Sequence, residues 1–529
     1  MCGAFCCPPS AVSVACGGSA VTAYYLTTPI YYANDVPHIG HAYTTIAADA
    51  LARFHRVRGD DVFLLTGTDE HGINIERIAA ELGLTPTQQV DAVTAAFSAL
   101  WAELDIEYDR FVRTTEPTHR RAVVALWQRL QASGDLYRGV YEGAYCPRCE
   151  AYYQPDELVG RDCPVHGLPC DNVAEENWFF RLSRYQDALE RLVRETDFVQ
   201  PTARRNEILG VIRQGLRDFS ASRRLVRWGV PVPGAPDEVI YVWIDALANY
   251  LTGIGYPDDP KTFERFWPAK LHLVGKEIIR FHCLYWPALL LSAGLPLPQQ
   301  VFAHGWLTKD GNKISKTTGN TVDPRALAAE FGADAVRYYL LRAIPFGQDG
   351  DFTRRAFVAR YNADLANDFG NLVQRATTLA ARHAHVPVAQ GKPGAPEIAL
   401  REAADQLSDR VTAAFESFAL HEAASVVGHF VGEVNRYIDK TAPWTLARQG
   451  SFDRLGVVLD HTLEAARLAA WYYVPILPRA ATDAHCRLAG ARPLPGGGTF
   501  DPTRRHVVNV GPPLFPRLAQ QVGDVTLAK

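Results

Sequence analysis

The sequence predicts an α/β protein: a parallel sheet, split by a cysteine-bearing insertion and followed by an all-helical region. Three observations carry that reading. Short runs rich in Val, Ile, Thr and Tyr alternate with helical patterns in two separate stretches, the alternation that builds parallel sheets. A Cys/His cluster with paired spacing falls between those stretches. After about Asp351 the strand patterns stop, and 3.6-residue periodicities run to about Ala481.

The first 22 residues stand apart. Cys2, Cys6, Cys7 and Cys16 sit among Ala, Gly, Ser and Pro, and the first Arg or Lys is Arg53, so neither a secretory signal nor a transit peptide fits. This stretch is read as a disordered leader. Val21 to Tyr32 reads as a strand. From His41 to Arg58 the pattern is helical, with Ile46, Ala50 and Phe54 on one face and Gly59 as the stop. "DVFLLTGTDEHG" (Asp61–Gly72) is a buried strand running into a glycine-bearing turn. The theme returns at Val239–Leu251 and Lys270–Leu291. Cys283–Leu297 falls short of the roughly 18 residues of a membrane span and reads as a buried helix. The loop Pro387–Glu397 interrupts the helical region. The division is 1–22 leader, 23–116 first half of the sheet domain, 117–238 insertion, 239–303 second half, 304–360 a connecting region and 361–529 the helical domain with its tail.

A chain of 529 residues with 47% apolar and 21% charged residues is a globular protein of several units. Its formal charge of −4 means that a nucleic-acid partner would need a local basic patch. Arg204, Arg205, Arg213, Arg217, Arg223, Arg224 and Arg227 form one candidate, opposed only by Glu207 and Asp218. A solvated arginine-rich face is the equal alternative. The cysteines outline no disulfide framework, which points to a reducing cytoplasm.

Cys146-Pro-Arg-Cys149 and Cys163-Pro-Val-His166 form two knuckles. Four soft ligands in this spacing suit one tetrahedral Zn²⁺ in a closed, structural site. Cys170 is a spare thiol with no partner at two-residue spacing.

His38-Ile39-Gly40-His41 stands where the first strand gives way to the first helix. A helix N-terminus offers N–H groups and partial positive charge to an anion. Gly40 lets a large ligand approach the backbone, and two imidazoles can donate to phosphate oxygens. Alone, four residues are a weak signal. Far downstream, "GWLTKDGNKISKTTGN" (Gly305–Asn320) holds Lys313 and Lys316 between glycines. Such a loop can close over a polyphosphate and neutralise it.

Together the two motifs resemble the "HIGH" and "KMSKS" signatures of class I aminoacyl-tRNA synthetases, here "HIGH" and "KISKT". Ile314 and Thr317 depart from the second signature while keeping an apolar residue and a hydroxyl. "TTPIYYAND", "TGTDEHG", "YVWIDAL" and "VGKEIIRFHCLYWPALL" narrow the resemblance to the methionyl-tRNA synthetases, from Tyr24 to the end of the chain. The resemblance implies a Rossmann-like catalytic domain, a zinc knuckle in the insertion and a helical anticodon-binding domain. It implies methionine activation by ATP with Mg²⁺, then transfer to the 3′-terminal adenosine of tRNA(Met).

Carried over residue by residue, His38, His41, Lys313 and Lys316 are catalytic. Gly40, Lys276, Glu277 and Ser315 join them on ATP. Ile30, Tyr32, Asp69, Trp243, Ala246, Leu247, Tyr250, Phe281, His282 and Trp286 bind methionine. Leu247 replaces a proline found in some relatives. Methionine sulfur packs well against aromatic rings, and His282 or Tyr32 is expected to donate a weak hydrogen bond to it. Asn371, Arg375 and Trp444 match the anticodon readers, with Pro443 opening a helix. Other class I synthetases, a small nucleotidyltransferase and a zinc-stabilised RNA-binding protein without catalysis are the rivals. The leucyl, isoleucyl and valyl enzymes carry a large editing insertion that has no room here, a nucleotidyltransferase lacks the helical domain, and intact motif lysines and histidines speak against lost catalysis. The chain stops soon after Val507–Gln521, from which a monomer is expected.

Overall fold

A computed structural model describes residues 22–146, 151–153, 158–164, 167–314, 320–386 and 392–519. The expected disordered leader lies almost wholly outside them, as do residues 387–391 of the Pro387–Glu397 loop.

Three strands, β1 (Ala23–Tyr32), β2 (Asp61–Asp69) and β3 (Arg110–Arg113), form one half of a six-stranded sheet. Its order is β3, β2, β1, Leu271–Gly275, Val301–His304, Val199–Gln200, and every pairing is parallel. β1 lies in the middle and is covered on both faces, which is why its residues Tyr25, Leu26, Thr27 and Thr28 are fully buried. Helix α1 (Ile39–Arg58) crosses from β1 to β2 and ends where Gly59 turns left-handed at φ 96°. The strand order reverses between β1 and Leu271–Gly275. In sheets of this kind the crevice at that switch point, beyond the carboxyl ends of the strands, is the ligand site.

Three assignments from the sequence change. The strand before Val242 (Ala235–Ile240) is not part of the main sheet; it pairs antiparallel with Pro231–Val232 and Ser222–Arg223. The main sheet takes its far edge instead from Val199–Gln200, inside the expected insertion and too short to show a period. Helix Pro117–Ala132, also assigned to the insertion, buries Val123, Leu126 and Trp127 in the same core as Tyr25, Leu65 and Val112. What projects is the antiparallel set Leu136–Cys146, Ala151–Tyr153 and Asp171–Phe180.

Long helices follow, among them Ala333–Ala343, Asn371–Arg382, Ala395–Glu416, Leu420–Thr441, Phe452–Tyr473 and Pro478–Ala489. They do not form a detached unit. One core runs from Leu26, Ile46 and Leu51 to Val431 and Leu468, and Phe54 stacks on Phe415 at 4.1 Å. Fully buried Arg337 pairs with fully buried Asp49 of α1 at 2.6 Å. Its guanidinium also donates to the carbonyls of Pro475 (3.0 Å), Ile476 (3.2 Å) and Leu104 (3.3 Å). Burial pushes the Asp49 carboxyl up, but Arg337 and Arg53 outweigh it and hold it below the usual range.

Between sheet and helices lies a small sheet of Leu307–Lys309, Asn312–Lys313 and Gly350–Phe352. A Cβ on Gly305 would come within 2.3 Å of the Gln348 backbone, so only glycine lets these two segments cross. Among the described residues, no helix is long and apolar enough to cross a membrane.

Candidate active site

At the carboxyl end of β1 the chain turns into α1 through His38. Its backbone is extended (φ −126°, ψ 177°), and its Nδ1 accepts the Gly40 N–H at 3.1 Å. The Nδ1 of His41 accepts the His38 N–H at 3.2 Å. The two histidines thus do the work that Ser and Glu do in a capping box. Their rings stack at 3.8 Å. With both Nδ1 atoms accepting, the neutral rings carry their protons on Nε2. Two imidazole donors therefore stand together at the positive end of a 20-residue helix. Tyr31 flanks His41 at 4.8 Å, and its hydroxyl bonds Thr45 at 2.6 Å.

Across the switch point, His304 ends the second strand beyond β1, Val301–His304. Its Nδ1 donates to the Gly305 carbonyl (2.8 Å), and its Nε2 accepts from the Thr44 hydroxyl of α1 (2.7 Å). Burial pushes its pKa down, in keeping with a neutral ring. Lys276 and Glu277 directly follow Leu271–Gly275, where the adenosine side was expected. The Lys276 ammonium is bound by both oxygens of Asp349 (2.6 and 2.7 Å). The second motif starts as expected, with a turn at left-handed Asp310 and Gly311 between paired strands. The backbone of Lys313 lies opposite Thr308. Ser315 and Lys316 lie outside the described residues.

The aromatic constellation forms beside this crevice. Ile30 and Tyr32 pair with Gly67 and Asp69 across β1 and β2. Helix Val242–Leu247 brings Trp243, Ala246 and Leu247, and Trp243 stacks on Phe281 at 3.7 Å. Phe281–Tyr285 is a π-helical turn, a widening that re-aims side chains at functional sites. Ile30, Tyr32, Asp69, Trp243 and Phe281 are half-buried, and Ala246, Leu247, Tyr250, His282 and Trp286 are buried. In the buried layer the Tyr250 hydroxyl donates to His282 Nε2 (2.6 Å), and His282 Nδ1 donates to the Ile278 carbonyl (3.0 Å). Both nitrogens of His282 are therefore engaged within the protein, so a bond from it to a ligand sulfur would have to replace one of these two. Burial pushes its pKa down to about 4. The Trp286 indole donates to His272 Nε2 (3.2 Å), the Thr27 hydroxyl bonds His272 Nδ1 (2.8 Å), and Tyr250 stacks on the His272 ring at 4.1 Å.

Several of these polar residues escaped the sequence reading. His272 and His304 are single histidines inside apolar strands and look like core. Asp245 is another: it accepts from His71 (2.6 Å) and His119 (2.8 Å), tying the turn after Asp69 to the wall that carries Trp243. Burial pushes its carboxyl up, but the imidazoles prevail and hold it down to about 2. Asp245 and His71 sit inside "YVWIDAL" and "TGTDEHG", so the signal was present without its partner.

Cys146 and Cys163 are both buried, and Cys149 and His166 lie outside the described residues. The loop that presents Cys163 is closed by its N–H to the Leu168 carbonyl and by the Gly167 N–H to its own carbonyl, both 2.8 Å. Burial, with Cys146 and Cys163 beside it, pushes the Cys170 thiol up to about 11. Cys146, which ends the strand Leu136–Cys146, and Cys163, in a loop, are two buried thiols of the kind a zinc knuckle uses; the described residues alone assemble no group of three metal-ligating side chains.

In the helical region Asn371 opens a helix and is exposed. One turn on, Arg375 is held by Asp439 and by Asn435 (3.3 Å). Trp444, 42% exposed, follows Pro443 at the start of a short helix. Four members of the arginine cluster are engaged within the protein, while Arg213, Arg217 and Arg227 are exposed. Arg204 pairs with Glu207, Arg205 with Asp197 and Arg224 with Glu238, and Arg223 is buried over the Tyr241 ring at 4.0 Å.

The model of the family "tRNA synthetases class I (M)" matches residues 24–173 and 168–377. The methionine–tRNA ligase of Thermosynechococcus vestitus is 47% identical over 465 residues, 86% of this chain and 88% of that one. That of Thermotoga maritima is 44% identical over 495 residues, 92% of this chain and 77% of that one. The chain belongs to the methionyl-tRNA synthetases. Mycobacterium tuberculosis methionyl-tRNA synthetase in complex with methionyl-adenylate superposes with a TM-score of 0.89 at 42% identity, covering 94% of this chain and all of that one. The free form of the same enzyme gives 0.82 at 38% identity. Because these alignments extend well past residue 377, the helices around Trp444 belong to the synthetase match as much as the sheet does.

Proposed function

We propose that the chain activates L-methionine with ATP, forming methionyl-adenylate and pyrophosphate, and transfers methionine to the 3′-terminal adenosine of tRNA(Met). The observation that carries this reading is the histidine-capped helix at the switch point, directly beside a half-buried aromatic slot. The methionine carboxylate attacks the α-phosphate in line. The Nε2–H groups of His38 and His41 donate to phosphate oxygens as charge builds, from a geometry their backbone bonds already fix. No covalent enzyme intermediate is needed. Lys313 and Lys316, with Ser315, close on the departing pyrophosphate, Mg²⁺ arrives with ATP as its counter-ion, and Glu277 and Gly40 border the nucleotide. Asp69 receives the methionine ammonium, and Ile30, Tyr32, Trp243 and Phe281 enclose its side chain. Cys146, Cys149, Cys163 and His166 hold one structural Zn²⁺, whose chemistry is to cross-link the two loops of the insertion. Asn371, Arg375 and Trp444 read the anticodon. The enzyme acts as a monomer in the cytoplasm, a setting supported by five described cysteines that form no disulfide.

Pyrophosphate exchange with each amino acid tests the reading. Exchange with methionine alone is expected, followed by charging of tRNA(Met); exchange with another amino acid, or with none, would reject it. Lys316→Ala should lower the adenylation rate by about 10²–10³ while methionine binding without ATP stays unchanged. The reverse pattern would remove the "KISKT" segment from the phosphates.

A further inference from the structure

We propose that Lys276 is a positioning residue that, through Asp349, locks the small sheet bearing the "KISKT" segment to the switch-point strand of the main sheet. The proposal rests on the synthetase reading of the site. Lys276 follows directly on Leu271–Gly275, the strand beside β1. Asp349 directly precedes Gly350–Phe352, which pairs in parallel with Leu307–Lys309, and that strand pairs in turn with Asn312–Lys313. The ion pair is thus a side-chain bridge between two sheets that share no strand.

Its surroundings are built for this use. The Lys276 ammonium takes both Asp349 oxygens and lies 4.0 Å over the Trp306 ring. The same carboxylate accepts the Trp306 backbone N–H at 2.8 Å, and the Trp306 indole donates to Glu277 at 3.0 Å. The Gly350 N–H reaches the Trp306 carbonyl at 2.9 Å. Two residues on, Asp351 accepts from the Thr308 hydroxyl (2.6 Å) and the Gly311 N–H (2.9 Å), fixing the turn that leads into Lys313. One short stretch therefore uses Asp349 to hold the main sheet and Asp351 to hold the lysine hairpin. The side chain of Lys276 is only 14% exposed, and a contact from its ammonium to the nucleotide would have to break the Asp349 pair.

The test is a double-mutant cycle with Lys276→Met and Asp349→Asn, read as methionine affinity without ATP, ATP dependence and the single-turnover rate of adenylate formation. A misplaced catalytic group costs on the order of 10²-fold, so each single variant should slow adenylation about tenfold or more. Methionine affinity should hold within about twofold, and the double variant should be no slower than the worse single. The charge swap Lys276→Asp with Asp349→Lys should recover part of the rate. Limited trypsin digestion reads the tether without any activity: cleavage after Lys309, Lys313 or Lys316 should speed up in Asp349→Asn. A wild type that lacks methionine-dependent exchange would reject the synthetase reading and leave this digestion test standing. The tether is overturned if Asp349→Asn leaves adenylation and trypsin cleavage unchanged. It is equally overturned if Lys276→Met weakens ATP binding and the two variants' effects multiply, for then the ammonium serves the nucleotide directly.

Discussion

Tyr250→Phe removes one oxygen and keeps the ring that stacks on His272. The oxygen donates at 2.6 Å to His282 Nε2, a nitrogen whose ring is 2% exposed. Water cannot easily replace the donor there. Leaving a buried acceptor unmade costs about 1–3 kcal/mol, a large share of a typical 5–15 kcal/mol stability. His282 adjoins Phe281, which stacks on Trp243. If the imidazole turns to find a new partner, the slot changes shape. At 1.4 kcal/mol per decade, loss of that order weakens methionine binding about fivefold to a hundredfold. The control is Tyr25→Phe, which loses a buried hydroxyl bond to the Tyr250 carbonyl (2.7 Å) and leaves the Tyr250 hydroxyl on His282. Denaturant unfolding and equilibrium methionine binding, both at pH 8, check the pair. Both variants should lose stability, and only Tyr250→Phe should lose methionine affinity. Unchanged stability in Tyr250→Phe would refute the hydrogen-bond reasoning, and lost stability with wild-type affinity would remove Tyr250 from the pocket wall.

Acid should loosen the same layer. Folded His282 takes a proton only near pH 4, whereas the unfolded chain takes it near 6.5, so its contribution is complete above pH 6.5 and is lost as pH falls toward 4. The loss approaches about 3 kcal/mol, and denaturant titrations from pH 7.5 to 4.5 should show a shallower fall in His282→Gln. Trp444→Ala should leave methionine-dependent pyrophosphate exchange intact and weaken tRNA binding by about 1–3 kcal/mol, the worth of one stacked base; unchanged charging at limiting tRNA would contradict the anticodon reading. Metal analysis of the purified protein should find one zinc per chain. Chelation should expose residues 136–180 to protease and impair charging, and protein isolated without zinc would discard the knuckle.

The parts legible in the sequence are those whose cause is local. Strand β1, helix α1 and the Gly59 stop can be read from period and punctuation, and the Asp310–Gly311 turn from its residues alone. The histidine motif marks a helix start, yet nothing in four letters says that both Nδ1 atoms accept backbone N–H groups and cap the helix. Asp245 meets His71 across 174 positions and His119 across 126, so neither partner predicts the other. Val199–Gln200 is a strand only because Val301–His304 offers it an edge. The bonds of His282 were equally hidden, since its acceptor, the Ile278 carbonyl, is a backbone atom four residues earlier and its other partner, Tyr250, lies 32 positions away.

Helix α1 is gripped along its whole length by parts of the chain far apart in sequence. Its first turn presents two imidazoles, its middle is clamped at Asp49 by Arg337, and its last turns rest on Phe415 through Phe54. Twenty residues make a rod of about 30 Å, stiff against bending and free of any glycine between Gly40 and Gly59. A torque applied to the far bundle therefore reaches the phosphate end as rotation of a single shaft, with no joint in which to dissipate. Slippage at the Arg337 clamp would have to expose a buried ion pair, so the end that carries the imidazoles and the end that meets the bundle are kept in one register.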